Sequence, residues 1–321
     1  MEAGDWVGIA AIAGVIVAVV GFWLLLRRLA SRSQRRAEVK RDLRRDRARL
    51  DAHHTARYAG SPEQFARGPL AWPLAAGAGF AECSGQAVDT LDDDDPADAA
   101  SMLHQWWGIT NRGDLIDQVW WLLVEGHRSG FEREREHWRS LDGPAAKQAR
   151  AMAKQQVGDE RLERPVRFDR VRRNERDIVE VDFLAWDLLR AIMLLRNGVA
   201  IGYIDERVAA DTMLLVAERL QANYGSWEEL GSHFERARWH WRATTAPEDA
   251  IAVQHDEHRE RALLQPGQPR ALVPWDARLS RSERLIVPAM ALYGSGQASA
   301  IGERWEQELQ QELGQHLAAR G

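Results

Sequence analysis

The hydrophobic pattern is strongest between residues 182 and 241, where three helix-like segments follow one another. The first, Phe183–Leu195, is apolar on nearly every side, which is typical of a helix that is buried all round. It nevertheless contains Asp187 and Arg190, an i,i+3 pair of opposite charge that must be paired and hydrogen-bonded if it is buried. Asn197-Gly198 follows this segment and predicts a helix stop.

Helix-start signals recur along the rest of the chain. Short polar side chains stand just before several periodic segments and predict helix N-caps at Ser61, Asn111, Asp205 and Ser226. The helix after Ser226 carries an apolar stripe that runs to Trp241, whereas the highly charged residues 158–177 predict a mobile excursion. No segment alternates with period two for long, so we expect an all-α fold, with at most one short hairpin.

A separate apolar run lies near the N-terminus. Trp6–Leu26 is a stretch of 21 residues without a charge, long enough to cross a bilayer as a helix of about 30 Å. A cleaved signal peptide is the alternative, but the preceding residues are acidic and the run ends in bulky leucines before Arg27. We therefore expect a single transmembrane helix that is not removed.

The net charge of −5 hides a strong asymmetry. Residues 27–57 hold 12 Arg or Lys and 4 acids, a charge of +8, which leaves −11 for residues 58–321. Positive charge after the span predicts that residues 1–5 lie outside and the bulk of the chain in the bacterial cytoplasm. The acidic body argues against specific nucleic-acid binding.

The basic segment predicts a juxtamembrane helical neck with two open interpretations. Its first turns could contact anionic lipid, or the charge could only enforce the topology. Within the span, Ala10, Gly14 and Ala18 form a row of small residues that either supports a homodimer or occurs by chance in an Ala-rich anchor.

These patterns divide the chain into several regions. The predicted parts are an outer tail at 1–5, a span at 6–26, a neck at 27–57, a helical domain at 58–245 and a C-terminal helical extension at 246–321 that packs on the domain. The single cysteine, Cys83, excludes an intramolecular disulfide and is expected to pack as a small hydrophobic residue.

Several blocks of sequence resemble a bacterial family of uncharacterised helical domains, catalogued as domain of unknown function 1266. The resemblance covers about residues 60–245 and is carried by WWGITNRGDLIDQVWWLLVEGHR at 106–128, AWDLLR at 185–190, GYI at 202–204 and SWEELGSHFERARWHW at 226–241. It implies a helical cytosolic domain and brings no settled activity. The membrane span and the neck lie outside it.

The matching blocks contain polar residues set among tryptophans, and they form the candidate site. Its members are Arg112, Asp114, His127, Arg128, Asp187, Arg190, Tyr203 and Arg238. In one hypothesis they converge on a pocket where arginines bind an anion and His127 shuttles a proton. In the other they form a structural salt-bridge network, with His127 ending a helix near its negative end.

No pattern indicates a cofactor or a metal site. His255 and His258 are three apart on a charged segment but lack a third ligand. The acidic run before Pro96 lacks the spacing of a calcium loop, and no phosphate-binding glycine loop is present.

Three functional hypotheses remain open from the sequence. The first is a non-enzymatic protein-interaction domain held at the inner face of the membrane, with a protein partner. The second is an enzyme or small-anion-binding domain that uses the polar cluster. The third is an immunity-type protein in bacterial conflict, whose acidic body would mask a basic toxin.

Overall fold

The computed structural model describes residues 56–91, 95–158, 160–243, 256–297 and 299–321, all within one compact unit that runs from His54 to Gly321. These residues form helices, turns and loops, and no strand occurs among them. The prediction of an all-α fold is confirmed for the described part, and the hairpin that was left open is absent from it.

The helices are numbered in chain order. They are α1 (Pro62–Ala66), α2 (Ala71–Ser84), α3 (Pro96–Trp107), α4 (Arg112–Val124), α5 (Gly126–Ser140), α6 (Gly143–Ala153), α7 (Glu160–Arg173), a 3₁₀ helix (Glu175–Glu180), α8 (Leu184–Ala200), α9 (Glu206–Asn223), α10 (Trp227–Arg242), α11 (Pro269–Leu272), α12 (Ile286–Tyr293) and α13 (Arg304–Ala318). Residues 256–262 are also helical.

Helix α8 is the centre of the packing. It contacts α2, α3, α4, α5, α9 and α10, and nearly all of its residues are buried, Asp187 and Arg190 included. The stop predicted at Asn197-Gly198 is wrong, because α8 continues to Ala200. Gly198 instead allows a close approach of α4: a Cβ there would lie 2.3 Å from Cδ2 of Leu115.

The predicted N-caps are confirmed. Ser61 Oγ accepts the backbone N–H of Gln64, and Gln64 returns a bond to the N–H of Ser61, which completes a capping box. Asn111, Asp205 and Ser226 likewise accept backbone N–H groups in the first turns of α4, α9 and α10. Each cap binds a donor two or three residues away, which is why a local pattern suffices to find it.

The charged segment 158–177 is largely helical and packs on the domain, so the prediction that it forms a mobile excursion is wrong. Arg170 in α7 is 2 % exposed, and its guanidinium lies 4.0 Å from the ring of Trp239. It donates to the carbonyl oxygen of Trp239 at 2.7 Å, close to the C-terminal end of α10. A long arginine can bury its stem and still satisfy its charge on helix-end carbonyls, so charge alone does not place a segment in solvent.

The C-terminal helices share the core of the unit. Helix α12 packs against α4 and α9, and α13 packs against α12 and α4. Asp211 of α9 holds the loop before α12, since its carboxylate accepts the N–H of Glu283 at 2.5 Å and the N–H of Leu285 at 2.7 Å. These contacts place α12 beside the helix that carries much of the candidate site.

The predicted tail, the span Trp6–Leu26 and the neck lie outside the described residues, apart from Ala56 and Arg57. Among the helices that are described, none combines the length and the hydropathy of a membrane span. Cys83 is exposed at the end of α2, so the expectation that it packs in the interior is wrong.

Candidate functional site: an acidic, tryptophan-lined groove backed by a buried ion-pair network

Asp187 is the centre of a buried ion-pair network. It is 0 % exposed, and its carboxylate accepts the backbone N–H groups of His127 and Arg128, each at 3.0 Å. Because these are N–H groups of the first turn of α5, Asp187 on α8 acts as an N-cap supplied from another helix. The interpretation of His127 as a helix end is therefore wrong: it lies at a helix start.

Gly126 makes this contact possible. Its φ is 60°, and an added Cβ would lie 2.0 Å from Oδ2 of Asp187, which no side chain can accept. The chain thus leaves α4 and enters α5 with no loop between them, and the free N–H groups of the new helix point at the carboxylate.

Two arginines complete the neutralisation of Asp187. Arg190 donates Nη2–H to Oδ1 at 2.7 Å, and Arg128 donates Nη1–H to Oδ2 at 3.2 Å. Burial by itself raises the pKa of Asp187, but the positive charges of Arg190 and Arg128 lower it, so the net direction is downward. Asp187 is thereby held as a carboxylate inside the protein.

Arg128 links the network to two further helices. It donates to the carbonyl oxygens of Leu122 at 2.8 Å and Leu123 at 2.6 Å in the last turn of α4, and to the carboxylate of Glu306. Glu306 is 0 % exposed and belongs to α13. One guanidinium therefore joins the end of α4, the start of α5 and the C-terminal helix.

His127 is neutral in this arrangement. Its Nδ1 lies 2.7 Å from Nη2 of Arg190, and a guanidinium only donates, so Nδ1 accepts and the ring proton is on Nε2. Burial and the charges of Arg190 and Arg167 lower the pKa of His127, and Asp187 offsets this only in part. The ring packs edge-on against Trp121 and Trp241.

Arg190 lies close to the rings of two tryptophans. Its guanidinium carbon is 4.2 Å from the ring centre of Trp186 and 5.4 Å from that of Trp107. Burial lowers its pKa to about 10, which leaves it charged at neutral pH.

The apolar stripe of α10 does not end at Trp241 as predicted, because Trp241 is 39 % exposed. Trp239 and His240 are the buried residues in the last turns of that helix.

Four of the eight predicted site residues contact one another, and the other four do not join them. His127, Arg128, Asp187 and Arg190 form the network described above, whereas Arg112, Asp114, Tyr203 and Arg238 lie elsewhere. Arg112 lies over the ring of Tyr293, and Asp114 binds Thr110 and Asn111. Tyr203 donates to the carbonyl oxygen of Thr110 at 2.6 Å, and Arg238 pairs with Asp256. The eight residues therefore do not converge on one pocket.

An open groove of 620 Å³ lies on the outer side of this network. Its lining residues are Trp107, Gly108, Ile109, Asp114, Asp117, Gln118, Trp120, Trp121, Val124, Glu125, Met290, Ser295, Gln297 and Ser299. Trp107 and Trp121, two of its walls, are the rings that contact Arg190 and His127 from the groove side of the network. The buried ion pairs thus support the tryptophan wall of the groove.

The groove is acidic. Three of its described lining residues are carboxylates and none is Lys or Arg. Asp117 Oδ1 accepts the N–H of Ser295 at 2.8 Å, and Glu125 Oε2 accepts the hydroxyl of Ser299 at 2.9 Å. These bonds tie α4 to the loop after α12. Hydrogen bonds from Thr110 lower the pKa of Asp114, so its carboxyl is ionised at neutral pH.

Sequence reasoning missed Gly126, Glu306, Asp117 and Glu125 as parts of the site. Asp117 and Glu125 could have been found from the sequence, because they stand four residues before and after Trp121 in the segment that follows the predicted N-cap Asn111. Glu306 could not have been found in this way, since its partner Arg128 is 178 residues away.

Within the described residues, no three His, Cys, Asp or Glu side chains are placed to hold a metal ion.

A known protein family matches the part of the chain that contains most of this site. Residues 102–275, which are 174 of the 321 residues, match the family model described as protein of unknown function (DUF1266). The match begins and ends later than the resemblance at 60–245. It contains Asp187, His127 and the α4 wall of the groove, while α12 and α13 lie beyond it. No curated protein and no solved structure matches the chain. The chain belongs to the DUF1266 family.

Proposed function

We propose that this chain is a non-enzymatic protein-interaction module, tethered to a bacterial membrane by one span and presenting its helical domain to the cytoplasm. The tether rests on the uncharged run Trp6–Leu26 and on the +8 segment that follows it. The protein would then bind two partners, the lipid bilayer through its span and another protein through its helical domain.

The groove is the observation that carries the interaction role. It combines three tryptophans with three carboxylates. Trp106, the neighbour of Trp107 at the end of α3, is 83 % exposed. Large exposed aromatic residues beside polar groups are characteristic of protein interfaces, where they supply most of the binding energy.

The enzyme or anion-binding hypothesis is the weaker candidate. Arg128 and Arg190 are both committed to the carboxylate of Asp187, and Arg128 also binds Glu306. A clamp for an anion needs guanidiniums whose charge is still available, whereas here they neutralise acids of the chain itself. His127 accepts from Arg190 through Nδ1, so that nitrogen does not serve as a base.

Site-specific photocrosslinking in the native host tests the interaction role. A photoreactive residue at Gln118, in the groove, is compared with one at Lys147, exposed on α6. We expect a discrete protein adduct from position 118 and none from position 147. The absence of an adduct from Gln118, or identical adducts from both positions, contradicts the proposal.

Membrane fractionation tests the tether independently. We expect the full chain to stay in the membrane pellet after an alkaline wash, and a variant that lacks residues 6–26 to be released. Release of the full chain by the wash contradicts a transmembrane anchor, because only a span resists it.

A further inference from the structure

The groove has a linear arrangement of acidic groups. Asp114, Asp117, Trp121 and Glu125 follow one another at intervals of three or four residues, so they share one face of α4 and its C-terminal cap. At 1.5 Å per residue this row is about 16 Å long. Such a row suits an elongated ligand rather than a compact one.

The carboxylates are held in place but not neutralised. One oxygen of each is bonded to neighbouring N–H or O–H groups, as for Asp117 with Ser295 and Glu125 with Ser299. In the part of the chain that is described, no Lys or Arg nitrogen lies within 4.0 Å of Asp114, Asp117 or Glu125, and their second oxygens have no donor. Among the described residues, these three negative charges therefore lack a cation.

A second groove differs from the first, because its acidic residues stand beside basic ones. Its lining residues are Glu132, Arg135, Glu136, Arg139, Val179 and Glu180, so arginines stand beside its acids. Arg135 also pairs with Glu132 at 3.5 Å. Within the described part of the chain, acids on α5 thus stand beside arginines, whereas the acids that line the groove on α4 do not.

The wall of the acidic groove offers two further contacts. The faces of Trp107 and Trp121 attract cations, and Arg190 already uses Trp107 in this way from inside. Trp120 lines the groove and is 2 % exposed, and its indole N–H has no acceptor among the described residues. This N–H is itself buried, so a peptide carbonyl accepts from it only if the ring of Trp120 shifts toward the groove.

We infer that the groove binds a basic peptide segment of the partner protein, with Arg or Lys side chains on the α4 carboxylates and its backbone along the tryptophan wall. This inference rests on the proposed function, since it names the chemistry of the partner at the same site. Anionic ligands such as nucleic acid or phosphate are repelled by the unbalanced acids.

Peptide binding to the full chain in nonionic detergent tests the inference. The probe is a fluorescein-labelled peptide of alternating Arg and Ala, roughly twelve residues long so that it exceeds the row at about 3.3 Å per residue. A peptide of alternating Glu and Ala is the negative probe. Binding is measured by fluorescence anisotropy at low salt, where exposed charge pairs are least screened.

The decisive variants are charge-matched. Asp117→Asn with Glu125→Gln removes two groove charges and keeps the acceptors for Ser295 and Ser299, so the fold is retained, which a melting curve checks. Glu132→Gln with Glu136→Gln removes two exposed charges from α5. We expect the groove pair to weaken binding about five- to tenfold and the α5 pair less than about twofold.

The outcomes separate this inference from the proposed function. Equal weakening by both pairs, or equal binding of the Glu peptide, shows attraction to the acidic body as a whole and overturns the inference. If Gln118 still yields its protein adduct in that case, the interaction role stands and only the basic partner is wrong. If Gln118 yields no adduct, the interaction role itself is overturned.

Discussion

The Cα of Gly126 lies so close to Asp187 that an added Cβ would be 2.0 Å from the carboxylate oxygen Oδ2. This contact lets the first N–H groups of α5 bind a carboxylate that belongs to α8. The same carboxylate fixes Arg190 and His127, which support Trp107 and Trp121 of the groove.

Gly126→Ala should destabilise the protein severely. Alanine at φ 60° is strained, and its Cβ displaces Asp187, so we expect a loss of about 3 kcal/mol or more in the free energy of unfolding. Gly130→Ala, in the same helix with open space around it, should instead stabilise by about 0.5–1 kcal/mol. Urea denaturation measures both, and similar values for the two variants would refute the close contact.

Asp187→Asn should cost about 3–5 kcal/mol, because it leaves the buried guanidinium of Arg190 without a counter-charge and Arg128 with Glu306 alone. The matched control is Glu283→Gln, which breaks the exposed pair with Arg207 at 2.9 Å and should cost less than about 1 kcal/mol. Equilibrium unfolding compares the two variants. A small loss for Asp187→Asn would mean that the network contributes little to the fold.

His240 should make stability depend on pH in the acidic range. It is 2 % exposed, and burial, with the charges of Arg170 and Arg167, lowers its pKa well below 6.5. The unfolded chain takes up this proton first, so the free energy of unfolding falls as pH drops below about 6.5, by at most about 1.4 kcal/mol per pH unit.

His240→Phe should flatten that dependence. Phenylalanine keeps the edge contacts with Phe131 and Phe183 and removes the proton uptake. Denaturant titrations between pH 5 and 7.5 measure the slope, with the exposed His137→Phe as the control. An unchanged slope in His240→Phe would assign the pH dependence to other groups, such as His127.

Glu235→Gln should stabilise the protein, and increasingly so as the pH rises. Burial, with repulsion from Glu260, Glu257 and Asp256, raises the pKa of Glu235 from 4.5 to about 8. The native state holds this proton longer than the unfolded chain, so native stability falls from pH 4.5 up to about 8.

The gain in melting temperature of Glu235→Gln should therefore grow from pH 5 to pH 8 and level off above it. Glu228→Gln, exposed in the first turn of the same helix, is the control. Melting curves at several pH values measure both variants. A gain that does not vary with pH would contradict the raised pKa.

Local patterns predicted the helix starts well and placed one helix end wrongly. Ser61 and Asn111 bind donors three residues away, so the sequence window contains both partners. At Asn197-Gly198 the same window predicted a stop, but Leu115 packs against Gly198 and α8 continues. The charged segment 158–177 was misplaced for a similar reason, because Trp239, the partner of Arg170, is 69 residues away.

By itself the sequence determined an all-α body, the caps of its helices, the family, and one apolar helix that carries Asp187 and Arg190. Periodicity and capping are properties of neighbouring residues, and no tertiary contact is needed to read them. Only the tertiary structure decided that Asp187 caps α5 across 60 residues and that Arg128 reaches Glu306 in α13. It also decided that Trp107 and Trp121 stand between these ion pairs and the groove, since the packing of α3, α4, α8 and α12 brings together residues that are distant along the chain.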